Sequence, residues 1–147
     1  MNFQILAFLT ITMVALANTF NTYSQTCKVK IGTQTNGLPL YEEVFEYDFV
    51  DEKPEFPGGR NKMINFINVT REYPQQAYDL GIEGRVTCAF IVHEDGRISN
   101  IKVLKGVESS LNQEAVRIIS LMPEWNPGKL NHQPVPVRVI TCIPFRK

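Results

Sequence analysis

The side chains best equipped for chemistry are two histidines, three cysteines and a pair of carboxylates. His93, Glu94 and Asp95 are consecutive, and an imidazole beside carboxylates can serve as a general base. They run directly into Gly96, however, and Asp-Gly is hairpin-turn chemistry, so the triplet reads as solvated polar residues at a turn. His132 lies in Leu130-Asn131-His132-Gln133, a polar loop with no ligand at metal-binding spacing nearby. Cys27, Cys88 and Cys142 form no C-x-x-C pair and permit at most one intrachain disulfide. Cys88 and Cys142 fall in alternating apolar stretches, where a small buried hydrophobe is the commoner role. G-x-S-x-G, a glycine-rich phosphate loop and H-E-x-x-H are absent from the sequence. The chain is not expected to be an enzyme, and no catalytic residue, metal ligand or cofactor is assigned.

Backbone chemistry is the alternative. Val135, Val137, Val139, Thr141, Ile143 and Phe145 alternate with Pro136, Arg138, Ile140, Cys142 and Pro144, which predicts a long strand. Pro136 and Pro144 lack amide donors and, being an even number of residues apart, face the same way along the ladder. This strand is therefore expected at a sheet edge, where unpaired N–H and C=O groups can accept another extended segment.

The elements that would position such an edge are readable upstream. Met63, Phe66, Ile67 and Thr70 follow i, i+3, i+4, i+7 spacing and predict a helix after Gly59, ending before Pro74. Pro74 can open a second short helix, with Ala77 and Leu80 inward and Gly81 as its stop. Arg85 to His93 alternates, and Glu94-Asp95-Gly96-Arg97 predicts a hairpin returning through Ile98, Ile101, Val103 and Leu104. Ser109 or Ser110 is the expected N-cap of a helix carrying Leu111, Ala115, Ile118, Ile119 and Met122. Trp125 then reads as the residue that pins this helix exit to the sheet.

Fifteen basic and fifteen acidic residues cancel, so no global field draws nucleic acid, which is not an expected partner. Ile5 to Ala17 is an almost unbroken apolar run of 13 residues. As a helix it spans about 20 Å, short of the roughly 30 Å hydrocarbon core. Residues 1–17 are thus expected to form a signal peptide, whose end could extend to 25, or else a short anchor. Export would permit a disulfide between two of the three cysteines, and the sequence leaves that open. Residues 18–55 are expected to be poorly ordered up to about residue 40 and extended beyond it. The folded domain is expected over 56–147.

Several motifs in order carry a resemblance: Tyr73-Pro74-x-x-Ala77, Gly81-Ile82-Glu83-Gly84-Arg85, Asp95-Gly96-Arg97-Ile98, Asn112-Gln113-Glu114-Ala115, Met122-Pro123-Glu124-Trp125-Asn126-Pro127-Gly128 and Ile143-Pro144-Phe145. Together they resemble the C-terminal domain of TonB-family energy transducers, and Lys53 to Gly59 looks like the lead-in of the Bacteroides type. The resemblance implies an α+β fold, with two or three helices packed on one face of a three-stranded antiparallel sheet in the order α-β-β-α-β. It implies a periplasmic domain, or one anchored in the inner membrane and facing the periplasm. Its partner would be the N-terminal box peptide of a TonB-dependent outer-membrane receptor, added as a strand. Carried over, the docking edge is Val135, Val137, Arg138, Val139, Ile140, Thr141, Cys142 and Ile143, with Thr70, Arg71 and Glu72 before Tyr73-Pro74 also in contact. The same edge admits a homodimer or an envelope-assembly role. The apolar run lacks a charged or histidine residue for coupling to a motor, so an inner-membrane motor complex is not an expected partner.

Overall fold

The computed structural model describes residues 26–147; the expected signal segment lies outside the described residues. Contacts divide the chain into two units that meet between Glu43 and Val44. In the first, strand β1 (Thr26–Thr33) and the greater part of β2 (Pro39–Glu46) are neighbours joined by a tight turn. Gly37 at φ 84° makes that turn, and Asn36 Oδ1 accepts from the Leu38 amide at 3.0 Å. The expectation of low order up to residue 40 is corrected for the described part. Lys28-Val29-Lys30-Ile31 and Tyr41 to Phe45 are β-rich stretches that an Asn-Gly turn folds together.

The second unit contains a short antiparallel pair, β5 (Lys129–Leu130) and β6 (Gln133–Pro134), and the antiparallel ladder β7 (Val137–Phe145), β3 (Gly84–Val92) and β4 (Ile98–Lys105), in that spatial order. The last residues of β2 join β7 in parallel, pairing Phe45 with Val137 and Glu46 with Arg138. That fourth, partial strand was not expected. Helices α1 (Gly59–Thr70), α2 (Gln75–Asp79) and α3 (Ser109–Ser120) follow the predicted order. Val86, Cys88, Phe90, Val139, Ile143 and Phe145 share one core with Ile67, Ala77, Leu111, Ala115, Ile118 and Ile119. The helices thus cover one sheet face. Ala89 and Ile91, on the other face of β3, are buried as well.

Two local readings change. Leu80 is 67% exposed instead of inward, because α2 stops at Asp79 and Gly81 at φ 66° turns the chain away. At α3 the N-cap is Glu108, whose carboxylate accepts from the Ser110 amide at 2.8 Å. With the helix starting at Ser109, the glutamate before it satisfies a first-turn donor that neither serine could reach as a cap.

Trp125 is 6% exposed and sits edge-on to Phe90 of β3 and to Phe56, with centroids 5.3 and 6.0 Å apart. Its amide donates to the Gly96 carbonyl at 2.8 Å, tying the helix exit to the β3–β4 turn. Glu55 and Asn126 exchange backbone hydrogen bonds at 3.0 and 2.8 Å, which fastens the lead-in beside it. Gly96 adopts φ 84°, and a Cβ there would collide with the Trp125 carbonyl oxygen. Gly96→Ala should therefore lower unfolding stability by about 2–3 kcal/mol in urea titrations, combining backbone strain with displacement of Trp125.

Candidate functional site

The flank of β7 away from β3 is only partly occupied. The Phe45 amide donates to the Pro136 carbonyl at 2.9 Å, so that carbonyl points away from β3. The Pro144 carbonyl accepts from Arg71 Nη1 at 2.6 Å on the same flank. Backbone direction repeats every second residue, so Ile140 and Cys142 also aim their N–H and C=O groups there. Glu46 closes the start of the strand through its ion pair with Arg138 at 2.9 Å. Among the described residues, no strand pairs with Val139–Phe145 on this side.

A groove of about 850 Å³ runs along this open stretch. Met63, Ile64 and Ile67 of α1 line it with Phe56, Trp125 and Val139, making a mainly apolar surface. Arg60, Arg71, Arg85 and Arg146 line it too, with Glu55 as the one acidic residue among the described residues. An extended backbone laid against β7 would meet donors and acceptors on one side and apolar side chains on the other.

The corner from which Arg71 reaches β7 is held by a buried carboxylate. Glu114 of α3, 8% exposed, accepts from the Glu72 amide at 2.7 Å and from Arg117 Nε at 2.7 Å. Arg117 Nη2 donates in turn to the Thr70 carbonyl at 2.8 Å. Burial alone would raise the Glu114 carboxyl, but the Arg117 hydrogen bond, the Glu72 amide and the Arg117 charge together hold it below its ordinary value. One ionised group thus satisfies the backbone between α1 and α2 and fixes where Arg71 starts.

A family model described as "Gram-negative bacterial TonB protein C-terminal" matches residues 69–146. The chain belongs to the TonB C-terminal family. Protein TonB of Pseudomonas aeruginosa is 43% identical over 53 residues, which cover 36% of this chain and 15% of that protein. The chain is also similar to two solution structures of Helicobacter pylori TonB-CTD. One is 26% identical with TM-score 0.42, covering 62% of this chain and 88% of that one. The other is 28% identical with TM-score 0.41, covering 56% and 88%.

Within this TonB C-terminal domain, the residues singled out from sequence separate into four groups. Val139, Ile140, Thr141, Cys142 and Arg71 line the groove. Val137 and Arg138 lie on β7 where Phe45 and Glu46 already pair, and Val135 precedes the strand, its amide donating to the Gly128 carbonyl at 3.0 Å. The Ile143 side chain is fully buried in the core. Thr70 and Glu72 belong to the Glu114–Arg117 network. Sequence reasoning missed Glu114, Arg60, Arg85, Arg146 and the α1 wall. The exposed Ile64 beside the inward Met63 and Ile67 was the available signal, since it widens an apolar stripe without a core to fill.

The reactive side chains stay apart. Cys88 is buried and its thiol is pushed up to about 11 by that burial and by Cys142. Cys142 is exposed on the other face of the sheet, and neither it nor Cys88 is in a disulfide among the described residues. His93 Nε2 lies 2.6 Å from Ser99 Oγ across the hairpin, and His132 occupies a tight turn at φ 65°. Among the described residues no group of histidine, cysteine or carboxylate side chains could hold a metal, and no helix is long and apolar enough to cross a membrane.

Because the folded Glu114 pKa lies below the unfolded one, its ionisation adds stability at neutral pH that is lost as pH falls through the folded value. Glu114→Gln should cost about 1–3 kcal/mol at neutral pH, as expected for charged hydrogen bonds with a buried partner. Urea unfolding should also show a flatter loss of stability below about pH 4 in the variant than in the wild-type chain.

Proposed function

We propose that this TonB C-terminal domain captures the N-terminal box peptide of a TonB-dependent outer-membrane receptor by accepting it as an added strand on β7. The supporting observation is the open flank over Val139–Phe145, where Ile140 and Cys142 direct backbone groups into a groove walled by α1. Backbone pairing supplies adhesion, and the apolar wall supplies side-chain selectivity. Under this reading residues 1–17 direct export, the domain works in the periplasm, and the capture serves energy-coupled nutrient uptake.

The strand can be no longer than the free flank. Phe45 and Glu46 hold its near end, and Arg71 holds the Pro144 carbonyl at its far end. A bound peptide therefore pairs over Val139 to Ile143. Longer docking requires release of the β2 end.

Calorimetric titration of the purified chain with receptor N-terminal peptides tests the proposal. Ile140→Pro removes an outward amide donor without touching the ladder to β3, so the fold should persist while affinity drops about tenfold, the worth of one good hydrogen bond. Unchanged affinity in that variant contradicts strand addition. So does a tight dimer in sedimentation that excludes every peptide, which would favour envelope assembly through the same edge.

A further inference from the structure

Two residues of this chain already sit where an added strand would begin. The Phe45 amide donates to the Pro136 carbonyl at 2.9 Å. The parallel register of Phe45 with Val137 and Glu46 with Arg138 sets the Phe45 carbonyl against the Arg138 amide. These are the first outward groups at the start of β7, and the open series continues from them through Ile140 and Cys142. One flank of a strand pairs with one neighbour at a time. A segment that pairs as far back as Val137 must therefore take the place of Phe45 and Glu46.

This internal occupant is short and lightly fastened. No proline or glycine follows Glu46 until Pro54, and Tyr47, Phe49 and Val50 are good strand formers. The chain nevertheless leaves the flank at once, through a single 3-10 turn over Tyr47–Phe49. Lys53 holds that turn. Its Nζ donates to the Asp48 carbonyl at 3.1 Å and the Val50 carbonyl at 2.8 Å, and lies 5.5 Å from the centre of the Tyr47 ring. Pairing thus ends after two positions, in the parallel arrangement that is the less stable per residue. The Glu46 carboxylate adds a fork onto Arg138, 2.9 Å to Nη2 and 3.2 Å to Nε, between side chains 29% and 37% exposed. Just before this end, Val44 is fully buried, and the hairpin upstream is compact in itself up to Glu43. Loss of the two pairs leaves both intact, so the freed end stays tethered and returns when the flank is vacated.

We infer that Phe45 and Glu46 form a built-in competitor for the docking flank, a displaceable strand end that masks its first two positions and is latched by the Glu46–Arg138 pair. This rests on the strand-docking reading and adds a control on the same site. A segment confined to Val139–Ile143 docks without disturbing the latch. A longer one gains its extra pairs only by expelling the strand end, so its net gain is a difference between two similar interactions. With no ligand bound, the mask also keeps other extended chains from the start of the flank.

The test uses the full chain and two uncharged valine–threonine peptides, one of about five residues to match Val139–Ile143 and one of about seven to reach Val137. Glu46→Gln should strengthen binding of the longer peptide about two- to fivefold, in the range of partly exposed ion pairs, and leave the shorter one unchanged. Phe45→Pro, which removes the amide that occupies Pro136, should act in the same direction. Hydrogen exchange reads the displacement directly in the wild-type chain. The Phe45 amide should be protected in the free chain and under the shorter peptide, and exchange quickly once the longer one saturates the site. Equal effects of Glu46→Gln on the two peptides, or a Phe45 amide that stays protected under the longer one, would overturn the masking while leaving strand docking intact. Failure of both peptides to bind any of these chains would overturn strand docking itself, and this inference with it.

Discussion

The architecture depends on a restriction in one strand. Pro136 and Pro144 withhold amide donors from the same flank of β7, so the chain cannot build a continuous second ladder there. The β2 end takes only the first two positions of the flank, and Arg71 caps the Pro144 carbonyl near the last. Between these stops the backbone of Ile140 and Cys142 faces outward. An edge of this kind is an aggregation hazard unless it is short or covered. Here it is short, recessed beside α1 and bordered by arginines, three features that limit unspecific pairing while leaving room for a selected strand.

The rest of the fold holds that groove in shape. Trp125 packs between Phe56 and Phe90, joining the lead-in to the sheet, and its amide anchors the Gly96 turn. Phe56 also meets Phe66 of α1 at 5.6 Å, which sets the wall against the strand. On the far side, the Glu114–Arg117 pair orders the link between α1 and α2 through charged contacts to the Glu72 amide and the Thr70 carbonyl that neutral side chains of similar size would not hold as tightly. Tyr73 completes this side, edge-on to Phe145 at 5.8 Å and donating its hydroxyl to the Ile82 carbonyl. Core packing, one buried carboxylate and an aromatic wedge thus all converge on the same edge.

Much of this was legible in the residues. The stripe of Met63, Phe66, Ile67 and Thr70 is the half-buried side of α1, the Asp95-Gly96 turn is a hairpin, and Trp125 is buried where the motif order suggested. The parity of the prolines pointed to the flank that stays largely open. Other features depend on contacts between residues distant in sequence, which local patterns do not encode. Glu114 looks like an ordinary polar helix residue until the fold brings the Glu72 amide to it and the Thr70 carbonyl to its partner Arg117. The pairing of Phe45 and Glu46 with β7 joins segments ninety-two residues apart. Likewise Arg71 and Arg85 carry no shared spacing, and it is the β3–β7 register that sets Arg85 opposite Pro144 and the α1–α2 link that brings Arg71 to its carbonyl. Leu80 misled because apolar periodicity continues one residue past the end of its helix.

The central claim is that two particular backbone amides wait for a foreign strand. Amide hydrogen exchange followed by NMR reads them individually. In the free chain, Ile140 and Cys142 should exchange quickly while Val139 and Thr141, bonded to β3, exchange slowly. Saturation with a receptor N-terminal peptide should slow Ile140 and Cys142 selectively. If those two amides are already as protected as their neighbours in the free chain, or remain fast when the peptide is bound, the account is wrong.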